Sequence, residues 1–323
     1  MQSMADTSGT DWQVVSDVLC AAGEAPFWSA REERLYWIDP PLKRAWRLHV
    51  PSGRTEHWGF ASPITGLTPC RSGGFLLLLA DGVYHAHSWL DIPTLLAVLP
   101  SVGAEALWRA GTCDPWGRLW LVAQTRDATH RAAHSSTLYC LRARSSNPPP
   151  LEPIRHQVGD GLGLCWAPDG RSVTWCNPRR GEVAQAALSQ PGRWPPELSA
   201  PMPLTRFAMP PDASSAPPSP NAAPFEGLPR SGTLDQTGHH WVTLIASGRV
   251  RRLDGNGRTV LDLHVPALYP TGVCLGGEDG CTLFVTSMRS GRGAAELERY
   301  PQSGAVFARR VDTPGQPAPL YWD

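Results

Sequence analysis

The chain has 323 residues, and its 29 basic and 29 acidic side chains balance to a formal charge of zero. No surplus of either sign is left to draw in a polyanion, so nucleic acid is not expected as a partner. The longest apolar run, Phe75 to Ala80, is too short to span a bilayer, and no membrane partner is expected either.

Met1 to Trp12 is polar, includes Asp6 and Asp11, and lacks the cationic start and apolar stretch of a secretory leader. A cytoplasmic protein is the expectation. Beyond it, long amphipathic helical patterns are almost absent. Short apolar runs recur, each opened by a polar turn containing Gly, Asp or Pro. In chain order they span Trp28–Asp39, Cys70–Leu79, Cys113–Val122, Trp166–Trp175, Leu234–Val242 and Cys274–Val285. Taking Leu35, Phe75, Leu119, Val173, Trp241 and Leu283 as equivalent, the units fall 40, 44, 54, 68 and 42 residues apart.

A repeat of roughly 40 residues built on an Asp/Gly hairpin is one four-stranded propeller blade. The pattern predicts an all-β, six-bladed β-propeller occupying residues 1–323 as one domain. In each unit an inner strand ends in a turn such as Pro168-Asp-Gly170, and a Trp-, Leu- and Val-rich strand follows. Trp28, Trp120, Trp166 and Trp241 are expected to be buried between blades. The two long spacings mark insertions. The larger, at about 190–229, carries Pro195-Pro196, Pro210-Pro211 and Ser214 to Pro220, and reads as a surface loop unable to form a regular ladder. The shorter, Arg126 to Ser136, interrupts the third unit.

The eight cysteines form no C-x-x-C pair and read as buried reduced thiols, not as a zinc site or disulfide framework. His130 and His134 lie in the polar insertion and read as solvated. His239 and His240 sit at a hairpin turn and are expected to face water. His85 and His87 share one face of a strand, and no carboxylate or cysteine is expected to accompany them there. No Gly-x-Ser-x-Gly elbow, phosphate loop or Cys–His signature is present.

The individual motifs are more specific than the repeat. Gly23-Glu-Ala-Pro-Phe-Trp28 with Leu35-Tyr-Trp-Ile-Asp39 resembles the opening of the gluconolactonase, regucalcin and luciferin-regenerating-enzyme family. Trp166-Ala-Pro-Asp-Gly170 resembles its fourth-blade turn. Thr271–Gly277, Leu283–Ser287 and Pro301–Phe307 are similar to its closing blade. The resemblance implies lactone or ester hydrolysis, and one divalent cation, calcium or zinc, held in the central channel by a Glu, an Asn and an Asp.

Carried over residue by residue, Glu24 occupies the Glu position. The Asn position holds Leu162, followed by the expected Gly163, with Asp160 two residues earlier as the substitute candidate. The Asp position holds Arg230, between Pro229 and the matching Asp235. In the third blade the family's Arg, Asn and Asp become Leu107, Arg109 and Ala110. Two of three metal ligands are thus missing, and the residues favour no metal. Arg109 and Arg230 become candidate substrate-binding residues, with a Glu24–Arg230 ion pair expected in place of the cation unless Arg230 turns to solvent. Three functions stay open: a lactone hydrolase, a metal-free propeller binding a small anion in the central channel, and a protein-interaction propeller.

Overall fold

The computed structural model describes residues 11–100, 107–126, 134–143, 148–210 and 224–323. Its strands form six four-stranded antiparallel sheets, one per blade. Blade one comprises Glu24–Ser29, Arg34–Asp39, Arg44–His49 and Arg54–Gly59. Blade two comprises Gly66–Pro69, Phe75–Leu78, Gly82–Ala86 and Thr94–Val98, and blade three Leu107–Cys113, Leu119–Arg126, His134–Leu141 and Leu151–His156. Blade four comprises Leu162–Trp166, Ser172–Asn177, Glu182–Ala187 and Met202–Arg206, and blade five Leu228–Leu234, His240–Ile245, Arg249–Leu253 and Thr259–His264. Blade six joins Pro270–Gly276, Thr282–Ser287 and Val306–Arg310 to the early strand Gln13–Val14, which pairs through Gln13 with Ala308 and Val14 with Phe307. The ring is therefore closed by the two ends of the chain. Among the described residues no helix is long and apolar enough to cross a membrane.

The hairpin turns explain why these segments become strands. In blade three the Asp114 carboxylate accepts from the amides of Trp116 and Arg118, both at 3.0 Å, and from the Trp120 indole at 2.9 Å. In blade five Asp235 accepts from the amides of Thr237 and His239, both at 3.0 Å, and from the Trp241 indole at 3.0 Å. An Asp six residues before a Trp thus satisfies the turn and anchors the ring wedged behind it. Six apolar clusters result, each formed by residues of two neighbouring blades. The core is a ring of wedges, with space left along the axis.

Three expectations change. Trp120, Trp166 and Trp241 are buried, but Trp28 is only half-buried: it lines the channel and stacks on Phe284 at 5.7 Å. Within the segment expected as a proline-rich loop, Met202–Arg206 forms the outer strand of blade four, pairing Pro203 with Ala184 and Arg206 with Glu182. Proline is tolerated there because an outermost strand is paired on one side only and the ladder shifts register beside it. Leu228 and Pro229 already belong to the inner strand of blade five, while 211–223 and most of the 126–136 insertion, including His130 and the His134 side chain, fall outside the described residues.

The third change is His240, which is 2% exposed and not solvated. Its ring packs against Gly232, where any side chain would collide with it. Neither ring nitrogen has a hydrogen-bond partner among the described residues. Burial pushes its pKa down to about 4. The unfolded chain binds this proton from about pH 6.5 downward, so stability falls as pH drops from there towards 4. Between pH 7 and pH 5 the wild type should lose roughly 2 kcal/mol more than His240→Phe, read from urea midpoints. Equal losses in both proteins would show that His240 is not the group responsible.

Candidate functional site

The inner strands of the six blades run side by side along the axis. Five of them are broken by a register shift against their second strand: between Glu24 and Phe27, Ala110 and Cys113, Leu162 and Cys165, Pro229 and Gly232, and Pro270 and Gly272. Blade two pairs without a shift. A bulge bends its strand and re-aims a side chain, and here the re-aimed positions meet at one end of the channel. Gly163, just after Leu162, has φ of 58°, and Ala25, just after Glu24, has φ of 50°. The left-handed conformation is costly for alanine, so the fold holds Glu24 in place at the expense of local strain.

Supports behind the bulges fix the approach. Asp39, fully buried, accepts from the amides of Ala21 at 2.8 Å and Ala22 at 3.1 Å, ahead of Glu24. Asn177 plays the same part in blade four, accepting from Asp160 at 2.8 Å and Gly161 at 3.2 Å. Thr271 donates its hydroxyl to the Gly23 carbonyl, tying blade six to blade one.

Three charged residues converge on this end. Arg230 Nη2 lies 2.5 Å from Glu24 Oε1, and Arg109 Nη1 lies 3.3 Å from Glu24 Oε2. One carboxylate therefore faces two guanidinium groups, each about a quarter exposed or less. Burial pulls Arg109 below its ordinary pKa, Glu24 opposes that shift, and the second cation, Arg230, adds to it. Arg109 Nε is buried with no hydrogen-bond partner among the described residues. The cluster has one positive charge more than Glu24 can match.

The other expected residues are distributed differently. Leu162 lines the channel, Leu107 is exposed, and the Ala110 side chain lies outside the described residues. Asp160 is buried, and its carboxylate turns to Arg179, accepting from the Arg179 amide at 3.1 Å with Nε at 3.2 Å. Burial raises its pKa despite the Arg179 amide and the nearby Arg230 and Arg109. Among the described residues, neither Leu162 nor Arg230 offers the oxygen donor that the family resemblance places there.

Several channel residues were not legible as site residues. Thr65, Thr112, Ser231 and Thr233 line a cavity of about 300 Å³, the small end of the range for ligand pockets. Cys165 also lines it, but burial pushes its thiol up to about 12 and the sulfur donates to the Gly232 carbonyl at 2.8 Å. A thiol held protonated in this way is not a nucleophile. The far end of the cavity is lined by Gln316, Pro317, Ala318 and Pro319, a chain segment with no strand signal.

Residues 22–289 match the family described as SGL, the SMP-30/gluconolactonase/LRE-like region. The chain belongs to this family. Among SMP-30/gluconolactonase/LRE-like proteins, 6-deoxy-6-sulfogluconolactonase of Pseudomonas putida is 29% identical over 306 residues, covering 93% of this chain and 94% of its own. Regucalcin of Gallus gallus is 25% identical over 88% of this chain and 89% of its own. The solved structure of regucalcin from Agrobacterium tumefaciens, described as a calcium-binding protein, superposes with a TM-score of 0.77 at 20% identity, covering 95% of this chain and 96% of that one.

The ion cluster has a measurable weight. Glu24→Gln leaves two guanidinium groups facing each other without a counter-charge and should destabilise the fold by about 1–3 kcal/mol in urea unfolding, below the full cost of a sealed pair because water reaches the channel. Adding Arg230→Met should restore part of the loss. A neutral Glu24→Gln, or strictly additive effects, would show that the three residues are not coupled.

Proposed function

We propose that this chain binds a small polyhydroxylated anion, of the size of a sugar lactone or sugar acid, in its central channel. Arg109 and Arg230 are the anion-recognising groups, and no divalent cation takes part. The observation that carries this reading is the convergence of two guanidinium groups on one carboxylate, with a buried Arg109 Nε that has no partner among the described residues. An incoming carboxylate, sulfonate or phosphate supplies the acceptors that Arg109 lacks, in the planar, paired geometry that arginine favours. The channel hydroxyls suit a polyol.

The donor set does not suit a hard divalent cation. Such an ion takes several oxygen ligands; the two positions beside Glu24 carry an alkyl chain and a fixed positive charge, and both Glu24 oxygens already face guanidinium groups. Coulomb repulsion from Arg230 alone would weigh against a doubly charged ion at this distance. The relative from Pseudomonas putida, whose name denotes a lactone carrying a sulfo group, supports an anionic sugar derivative as the ligand class.

Lactone hydrolysis is the second reading, favoured by similarity to that lactonase along nearly the whole chain. In that case the guanidinium groups would stabilise the oxyanion that develops on the lactone carbonyl. Water activation would fall to Glu24, which must first part from Arg230 to accept a proton.

Tryptophan fluorescence or calorimetry with sugar acids bearing a second carboxylate, phosphate or sulfonate should show binding that neutral sugars lack. Arg109→Met and Arg230→Met should each weaken it about 10- to 100-fold. Equal binding of neutral and anionic sugars would overturn the reading. Turnover of the matching lactones, unaffected by chelator and lost in Glu24→Gln, would select the second reading. Calcium titration separates both from metal-dependent hydrolysis: the wild type should bind none stoichiometrically, whereas Arg230→Asp with Leu162→Asn should bind about one equivalent.

A further inference from the structure

The histidine that the sequence leaves without a cysteine or carboxylate is given both by the fold. Cys70 follows the inner strand of blade two, His85 lies on that blade's third strand, and Asp323 arrives from the other end of the chain. One donor atom from each, Sγ, an imidazole nitrogen and a carboxylate oxygen, lies within 4.8 Å of the others. His85 Nε2 is 3.4 Å from Asp323 Oδ2. All three are withdrawn from solvent: Cys70 is 5% and His85 7% exposed, and the Asp323 side chain 7%.

We propose that Cys70, His85 and Asp323 form a binding site for a borderline-soft divalent cation of the zinc type, which fastens the chain segment flooring the central channel. The donor chemistry selects the ion. One thiolate, one imidazole and one carboxylate suit zinc or cobalt and are wrong for calcium, which takes oxygen ligands only. Metal–ligand bonds of 2.0–2.3 Å place tetrahedral neighbours about 3.5 Å apart, so the present spacing closes onto an ion with a shift of about 1 Å. The Ser72 amide, at 3.0 Å, and the Ser72 hydroxyl donate to the Asp323 carboxylate and orient it from behind. With three protein ligands, the fourth position is left to water. Burial, and after it the Asp323 carboxylate, raises the Cys70 pKa well above the ordinary thiol value. The thiol is protonated before an ion arrives, so the entering cation displaces one proton to solvent as the sulfur–metal bond forms.

The site's place in the fold gives it a role. Residues 315–323 run across the end of the propeller opposite Glu24. The Gly315 amide donates to Gly280 of blade six at 3.0 Å, Gln316 to Leu234 of blade five at 3.3 Å, Tyr321 to Pro69 of blade two at 3.0 Å and Trp322 to Gly117 of blade three at 3.1 Å. Tyr321 is fully buried in the wedge between blades two and three. Gln316 to Pro319 span the axis between these anchors and line the cavity. A cation on Asp323 pins the last anchor to blade two. The site shares no residue with the Glu24 cluster and does not depend on the ligand proposed for it.

The full chain, stripped of metal with chelator, should bind about one equivalent of cobalt(II), with the near-ultraviolet thiolate-to-cobalt charge-transfer band and the strong visible bands of a tetrahedral site. Zinc should displace the cobalt and raise the melting temperature. Cys70→Ser should abolish the charge-transfer band. His85→Gln, which keeps the thiol and guards against a misfolded Cys70 variant, should weaken cobalt binding at least tenfold and remove the zinc-dependent thermal shift. Absence of stoichiometric binding by the wild type overturns the proposal, leaving His85 and Asp323 as a metal-free ion pair. So does a charge-transfer band that survives in a folded Cys70→Ser, which would place the metal on another thiol such as the half-buried Cys281.

Discussion

A propeller is a ring of wedges, and a ring has to close. Each blade buries its apolar surface only against its neighbours, so an open ring would leave two blade faces in water. Closure here rests on a short piece of chain. Gln13 and Val14 complete blade six, Val15 extends the contact with an amide bond to Val306 at 3.0 Å, and Trp12 meets Phe307 edge-on at 6.5 Å while its indole donates to His264 at 2.5 Å. Two ladder pairs are a weak ladder. What makes them sufficient is that they convert six pairwise burials into one cooperative unit, so loss of any wedge exposes both of its neighbours.

Closure also explains why the axis is where the chemistry gathers. Six inner strands converge, each presenting side chains to a space that the wedges do not fill. A regular strand would send alternate residues into the blade and out of it. The bulges in five inner strands break that alternation near one end and turn consecutive positions towards the axis. Charges placed there are only partly solvated, so their balance is set by each other. Arg230 at a position that the family resemblance assigns to an anionic ligand reverses the sign of the site, and Arg109 reinforces it. The backbone positions that would surround a cation at Glu24 thereby carry two guanidinium groups instead.

What the sequence made legible follows from how local the governing interactions are. The six hairpins were readable because Asp114 with Trp120, and Asp235 with Trp241, settle their turns within seven residues. Glu24, Leu162 and Arg230 were readable because short flanking motifs fix them relative to a strand start. His240 was not, since its burial depends on Gly232 offering no side chain to the ring, a fact of the neighbouring strand. Met202–Arg206 was misjudged because proline forbids a doubly paired strand, whereas this one is paired on a single edge. The Cys70, His85 and Asp323 grouping was beyond reach: two members come from separate parts of blade two and the third from a segment about 240 residues away in the chain that crosses the propeller end to reach them.

The two ends of the channel then differ in kind. The Glu24 end carries charged side chains on bulged strands. The other end is crossed by Gln316 to Pro319, whose prolines fix φ and leave two fewer amides in need of partners in the middle of the crossing. Such a segment gains little from hydrogen bonds of its own and depends on its anchors, Gln316 at blade five and Tyr321 at blade two. The depth of the cavity is therefore set by how firmly those anchors hold.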